Sequence, residues 1–111
     1  NYKMNPPLRS PKDVEAIKKA LQNDILDVIA TDHAPHSEEE KKRSMLHAPF
    51  GIVGLETAFS VTWTELVMTG IITCRQLVEK MSVNPAKILG IDRGSIGEGA
   101  TADLVIVDPD A

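Results

Sequence analysis

Residues 25–36, ILDVIATDHAPH, constrain the fold of this chain more than any other stretch. The first half is rich in β-branched and aliphatic residues (Ile25, Leu26, Val28 and Ile29), and such an apolar run is typical of a strand buried on both faces, as in a parallel sheet. Pro35 has no N–H and cannot continue a central strand, so the chain must turn there. In α/β proteins the carboxyl edge of the sheet is where chemistry is usually done. The stretch therefore predicts a buried strand over residues 25–31 whose tip carries one carboxylate and two imidazoles: Asp32, His33 and His36.

Helical patterns account for most of the remaining chain. Ser10 is a good N-cap, Pro11 suits the first helical position, and the apolar residues that follow recur at helical spacing. Gly70 and Gly90 suit the position that follows a helix. Start and stop signals of these kinds predict helices over residues 10–23, 37–43, 55–69, 73–82 and 84–90. A last strand is predicted over residues 102–107, ADLVIV, and it needs partner strands to form a sheet.

Three further segments carry residues whose role the sequence leaves open. Asn5 precedes two prolines that stiffen the backbone, so its amide is either held in one orientation for binding or simply part of a turn. Phe50 and Gly51 lie in a loop where Gly51 allows close approach to a ligand or to another segment. The stretch SEEEKKR, residues 37–43, has acids before bases and predicts a short solvated helix rather than a binding patch.

Composition and charge argue against several classes of function. The net charge is −4 and no Lys/Arg cluster is dense, so a nucleic-acid partner is not expected. No apolar stretch approaches the roughly 20 residues of a membrane span, and no signal-peptide pattern is present. Cys74, the single cysteine, excludes an internal disulfide and fits a reducing compartment, here taken as the cytoplasm. Because the chain starts at Asn1 rather than Met, a piece of a longer or processed protein is expected.

Several motifs together resemble a known family. The motifs TDHAPH at residues 31–36, NPPLR at 5–9 and APFGIVGLETA at 48–58 are similar, in this order, to the C-terminal part of bacterial zinc-dependent dihydroorotases. These enzymes belong to the amidohydrolase superfamily, whose C-terminal signature resembles GSIGEGATADLVIVD at residues 94–108. The combination favours dihydroorotases over the related dihydropyrimidinases and allantoinases.

The resemblance implies an α/β fold in two parts. Residues 1–90 are expected to be the C-terminal portion of a (β/α)₈ TIM barrel, and residues 91–111 to contribute a strand to a small β-sandwich. Such a barrel takes about 250 residues, so this chain would hold less than half of one. On its own the chain is expected to be helix-rich with few strands. Its exposed edges and the apolar helix over residues 55–69 predict self-association, and therefore a homo-oligomer.

The resemblance also implies an activity and a set of site residues. The family reaction is the reversible cyclisation of N-carbamoyl-L-aspartate to L-dihydroorotate in de novo pyrimidine biosynthesis, at one or two Zn²⁺ ions. By resemblance, Asp32 is a zinc ligand and carries the proton, while Asn5 and His36 hold the small-molecule substrate. Phe50 and Gly51 present backbone groups to the pyrimidine ring.

Other interpretations stay open beside this one. The family's His-x-His pair and its other metal ligands are absent from the sequence, so the chain alone is expected to bind no zinc and to be inactive. A different cyclic-amide hydrolase, such as a dihydropyrimidinase, hydantoinase or allantoinase, is one alternative. A non-catalytic scaffold module is another, although it would have no physical need of Asp32, Asn5 and His36. The resemblance gives His33 only a packing or supporting role.

Overall fold

The computed structural model describes residues 1–109, and all regular structure among them is helical. The helices are α1 (Pro11–Gln22), α2 (Glu38–Lys42), α3 (Ala58–Thr62, continued by the π-helix Trp63–Val67) and α4 (Cys74–Val78, continued by the π-helix Glu79–Val83 and the α-helix Asn84–Leu89). None of these helices is long and apolar enough to cross a lipid bilayer. The last two residues of the segment predicted for the β-sandwich lie outside the described range.

The first two helices confirm the predictions made from their caps. In α1 the Ser10 hydroxyl accepts the Asp13 N–H, and the Asp13 carboxylate accepts the Ser10 N–H at 3.1 Å. In α2 the same reciprocal pair joins Ser37 and Glu40. A capping box of this kind satisfies two backbone donors that the helix itself leaves free. Both helices therefore start and stop within one residue of the predicted bounds.

The third helix begins later than predicted, at Ala58 instead of residue 55. Residues 55–57 form a turn. The N–H groups of Gly54 and Leu55 donate to the His33 ring at 3.0 and 3.1 Å, which holds this turn against residues 31–36.

The two helices predicted over residues 73–82 and 84–90 are one continuous helix. Asn84 has helical backbone angles of −67° and −45°, so it is not an N-cap. Pro85 has no N–H to donate into the π-helical turn, where the acceptor five residues back would be the Lys80 carbonyl. That carbonyl instead accepts the Ile29 N–H at 3.0 Å. The proline therefore leaves one acceptor free for another segment without ending the helix.

Neither predicted strand forms, and this part of the expectation is wrong for the chain. Residues 25–31 and 102–107 have no regular secondary structure. Ile25 is 71% exposed and Ile106 is 98% exposed, so two-sided burial is absent as well. The physical reason is that a strand needs the N–H and C=O groups of a neighbouring strand, and no described segment supplies them.

Helix α4 takes the place of a neighbouring strand for residues 25–31. The Lys80 side chain is 2% exposed, and its Nζ donates to the Asp24 carboxylate at 2.8 Å and to the Leu26 carbonyl at 2.7 Å. The Asn84 amide donates to the Asp27 carbonyl at 2.9 Å. Because a buried ammonium needs partners, these contacts fix where the segment leaves the helix.

The hydrophobic core is small for a chain of this length. It is formed by four buried residues: Leu21, Leu66, Ile72 and Leu77. The accessible surface is 8630 Å², whereas a compact monomer of this size exposes about 6,000 Å². The radius of gyration is 16.5 Å, against about 13 Å for a compact chain of this length. Much apolar surface is therefore left without a covering layer.

The contact between Asp24 and Lys80 predicts a specific acid sensitivity. Hydrogen bonds from Lys80 and then Gln76 hold the pKa of Asp24 below its ordinary value of 3.8. Since the pKa is lowered by folding, the carboxylate's contribution to the free energy of unfolding is complete above that value and is lost as the pH falls through the lowered pKa. We expect Asp24→Asn to lower stability at neutral pH and to flatten its fall in acid.

The measurement is urea unfolding followed by circular dichroism at a series of pH values. Asp27→Asn serves as the control, because the Asp27 carboxylate makes no ion pair within residues 1–109. An Asp24→Asn curve that runs parallel to that of the unsubstituted chain down to the most acidic point would contradict the prediction.

Candidate functional site

Three of the five predicted site residues line one hollow. Asn5, Asp32 and Gly51 come from three separate segments and border a hollow of about 380 Å³. The rest of its lining is largely apolar and includes Met4, Ile29, Ile52, Val53, Ala58 and Val61. The structure thus brings a carboxylate, an amide and a glycine backbone to the edge of an apolar concavity, which is the usual composition of a small-molecule site.

Asp32 has an unusual backbone conformation. Its φ is +47°, in the left-handed region that non-glycine residues seldom adopt. Residues held in this region cluster at functional sites, where the surrounding structure maintains them. The Asp32 carboxylate and the Asn5 amide are both exposed and make no hydrogen bond within residues 1–109. Both groups are therefore available to a ligand.

His36 contacts the loop of Phe50 and Gly51 rather than the hollow of Asp32. Its Nε2 lies 2.8 Å from the Phe50 carbonyl oxygen. A carbonyl can only accept, so Nε2 carries the proton and donates it. The Nδ1 atom lies 4.0 Å from the Glu40 carboxylate. His36 and Gly51 also border a second hollow of about 310 Å³.

Phe50 lines neither of these two hollows. Its ring is 55% exposed, and the Lys3 ammonium lies 4.4 Å from the ring centroid, within the range of a cation–π contact. Its carbonyl is the part that meets the predicted site, through His36. Of the five predicted residues, Phe50 is thus the one whose side chain lies outside both hollows.

Gly51 is required by a close approach to the segment that carries Asp32. Its φ is +117°, and a Cβ built there would lie 2.5 Å from the Ala34 Cβ and 2.9 Å from the Ala34 oxygen. Ala34 also donates its N–H to the Ile52 carbonyl at 3.0 Å. Of the two interpretations that the sequence left open for Gly51, close contact with another segment is confirmed.

His33 also supports the loops and contributes nothing directly to the hollow's lining. Its Nδ1 accepts the N–H groups of both Gly54 and Leu55, so the proton of the neutral ring is on Nε2. This geometry ties the turn before α3 to the segment that carries Asp32. These contacts agree with the supporting role expected for His33.

Lys41 is the site-proximal residue that sequence reasoning missed. Its Nζ donates to the carbonyls of Lys3, Pro49 and Gly51 at 3.0, 3.1 and 2.9 Å. The neighbouring Lys42 is 71% exposed and pairs with Glu38 on its own helix. The prediction of a wholly solvated helix is therefore right for Lys42 and wrong for Lys41. No signal in the stretch SEEEKKR distinguishes the two lysines, because the three carbonyls all lie outside that stretch.

The described residues do not fit a zinc site by themselves. Within residues 1–109, no three His, Cys, Asp or Glu side chains lie close enough together to hold a metal ion. Asp32 is one candidate ligand, whereas zinc in proteins takes three or more protein ligands.

Comparison with known proteins gives a consistent family. The model of the amidohydrolase family matches residues 5–111. The dihydroorotase of Pelotomaculum thermopropionicum is 56% identical over 108 residues, which is 97% of this chain and 25% of that protein. The dihydroorotase of Caldanaerobacter subterraneus subsp. tengcongensis is 59% identical over 109 residues, 98% of this chain and 25% of that protein. The resemblance to dihydroorotases is confirmed, and the chain spans about a quarter of these relatives' length.

Solved structures with the same fold carry related names. D-hydantoinase (dihydropyrimidinase) from Thermus sp. superposes with a TM-score of 0.87 at 32% identity, over 95% of this chain and 24% of that one. Dihydropyrimidinase from Brevibacillus agri NCHU1002 gives 0.85 at 30% identity, over 91% of this chain and 23% of that one. The arrangement of helices and loops thus matches one part of each of these larger structures.

Substitution of Gly51 tests the close approach that shapes this site. We expect Gly51→Ala to lower the free energy of unfolding by about 1–3 kcal/mol, because the added Cβ must displace Ala34 or strain the backbone. Urea unfolding followed by circular dichroism gives the measurement.

Gly97→Ala is the matched control for this substitution. A Cβ at Gly97 meets no described atom within 4 Å. Equal losses of stability in the two variants would show that the Gly51 contact with Ala34 is absent in solution.

Proposed function

Because this chain belongs to the amidohydrolase family, we propose that it is part of a dihydroorotase, which interconverts N-carbamoyl-L-aspartate and L-dihydroorotate in pyrimidine biosynthesis. The observation that carries the proposal is the hollow in which Asn5, Asp32 and Gly51 meet. Relatives that share more than half of the aligned residues bear the name dihydroorotase, which supports this substrate over others.

We propose that the longer protein is a (β/α)₈ barrel with a small β-sandwich. Residues 1–90 would belong to the barrel and residues 91–111 to the sandwich. The end of α4 at Gly90, with its left-handed φ of +65°, supports a boundary at this point. The exposed apolar side chains of residues 25–31 and 102–107 would pack against strands supplied by the rest of that protein.

Asp32 is proposed as the group that moves the proton. In the hydrolytic direction, water adds to the ring amide carbonyl, the C–N bond breaks and the leaving nitrogen takes up a proton. A carboxylate at the edge of the hollow can accept the proton of the attacking water and return it to that nitrogen. The absence of a competing hydrogen bond to Asp32 within residues 1–109 supports this role.

Asn5, which lines the first hollow, and His36, which lines the second, are proposed to hold the substrate where Gly51 borders both hollows. The Asn5 amide both donates and accepts, which suits a carboxylate or the polar atoms of a ring. His36 would offer its Nδ1 to the substrate, because its Nε2 is engaged by the Phe50 carbonyl. Phe50 and Gly51 would face the pyrimidine ring with backbone groups, and the Phe50 oxygen keeps a second lone pair for this purpose.

Zinc, cellular location and assembly are proposals for the longer protein. One or two zinc ions would bind with Asp32 as one ligand, and the other ligands would come from segments outside this chain. The exposed free Cys74 is compatible with a reducing cytoplasm. A homo-oligomer is proposed as well, and the large uncovered apolar surface supports self-association of the 111-residue chain by itself.

A hydantoinase-like activity is the second candidate. The observation in its favour is the structural likeness to D-hydantoinase and dihydropyrimidinase. Hydantoin and dihydrouracil contain a cyclic amide, as dihydroorotate does, but they lack its carboxylate. Conversion of hydantoin or dihydrouracil, without conversion of dihydroorotate, would favour this candidate.

We expect Asp32→Asn to reduce kcat by about 10²–10⁴-fold in a protein of the relatives' full length that carries this chain. The amide is nearly isosteric with the carboxylate but cannot accept and return a proton. The measurement is the rate of dihydroorotate hydrolysis, with circular dichroism to verify the fold.

Asp27→Asn, on the same segment, is the control, and the 111-residue chain alone serves as an inactive blank. Near-normal turnover by a folded Asp32→Asn protein would mean that another group carries the proton. Turnover by the 111-residue chain that disappears on Asp32→Asn would overturn the need for further segments.

A further inference from the structure

We propose that α2 is a bracket that fixes the loop of residues 49–51, and that Lys41 is its positioning residue. Three successive carbonyls of this loop are held from α2 or its N-terminal flank. Lys41 Nζ donates to the carbonyls of Pro49 and Gly51, and His36 Nε2 donates to the carbonyl of Phe50, which lies between them. The inference rests on the proposed function, because it treats the loop of residues 49–51 as the wall of the site that faces the substrate.

The Lys41 ammonium is matched to its surroundings. Its three hydrogens meet three carbonyl oxygens, on Lys3, Pro49 and Gly51, at 2.9–3.1 Å. No carboxylate within residues 1–109 forms an ion pair with it. Carbonyl oxygens that converge on one point repel one another unless a cation or a set of donors lies between them. Lys41 therefore links the segment before Asn5 to the loop of Gly51.

The helix that presents Lys41 is itself held in place. Ser37 and Glu40 close the capping box at its start. His36 precedes that cap and Lys41 lies in the last turn, so the two side chains that hold the loop are five positions apart in the sequence. At the other end, the Asn1 amide donates to the Arg43 carbonyl at 3.0 Å. A short helix with both ends fixed can set the position of the loop.

The bracket acts on substrate binding more than on the chemical step. Gly51 borders both hollows, and its N–H donates to the Lys3 carbonyl that Lys41 also holds. Asp32, which is proposed to move the proton, is not among the hydrogen-bond partners of Lys41 within residues 1–109. Loss of the ammonium would let the loop relax and leave the carboxylate in place.

The test is a comparison of Lys41→Met with Lys42→Met in a full-length protein that carries this chain. Met keeps the length and apolar stem of lysine and removes only the charge and the donors. We expect Lys41→Met to raise KM for dihydroorotate about tenfold or more, the scale of one lost charge-assisted hydrogen bond, with a much smaller change in kcat. Lys42→Met should leave both unchanged. Lys41→Arg, which keeps charge and donors, should restore part of the loss.

A second measurement does not depend on activity. Amide hydrogen exchange at Gly51 should be faster in Lys41→Met than in Lys42→Met. If Lys41→Met fails to fold, Ser37→Ala replaces it, because it weakens the start of α2 without touching the loop, and it should raise KM in the same direction.

Each outcome separates the two proposals. Equal KM values in Lys41→Met and Lys42→Met, a kcat that falls in step with the rise in KM, or unchanged Gly51 exchange would overturn the bracket. If Lys41→Met does not fold, a KM that Ser37→Ala leaves unchanged would overturn the bracket. An unsubstituted protein that does not convert dihydroorotate would overturn the proposed function, while the exchange measurement would still decide the bracket.

Discussion

The buried ammonium of Lys80 is the contact on which the rest of the arrangement depends. Its side chain joins the Asp24 carboxylate to the Leu26 carbonyl, and its own carbonyl accepts the Ile29 N–H. Segment 25–31 is thereby aligned on α4 without a neighbouring strand among residues 1–109. The segment ends at Asp32, so the position of the proposed catalytic carboxylate follows from a contact at the opposite end of the same stretch. An ammonium left without these partners would carry a large cost of burial.

Features decided by neighbouring residues were predictable from the sequence. The capping boxes at Ser10 and Ser37 and the left-handed Gly90 are set by residues at most a few positions apart, and the helix ends that they mark were predicted closely. The strands were not, because a strand is defined by partners elsewhere in the chain or outside it. The break predicted at Asn84 failed for a related reason. The Lys80 carbonyl that Pro85 leaves free is used by a segment more than fifty residues away.

In the candidate site, too, features set by neighbouring residues were predictable and features set by distant contacts were not. Asn5, Asp32 and Gly51 stood out because each is an unusual residue in its local context, and the structure places them around one hollow. Lys41 and Lys80 did not, since a lysine in a helix is ordinarily solvated and only the fold reveals its acceptors. Two lysines that look alike in the sequence, Lys41 and Lys42, therefore have opposite environments.

The missing strands and the openness of the site have one physical cause. In parallel sheets the strand that carries a catalytic residue is covered on both faces and both edges, and this covering gives the site its far wall. Here Ile25 is 71% exposed, and Asp32, which lines the hollow, is exposed as well. Closing the two edges of residues 25–31 would bury the apolar residues and enclose the hollow in the same step. In the longer protein proposed here, completion of the fold and completion of the site would therefore be the same process, and α2 and α4 would hold the loops in position for the segments that close it.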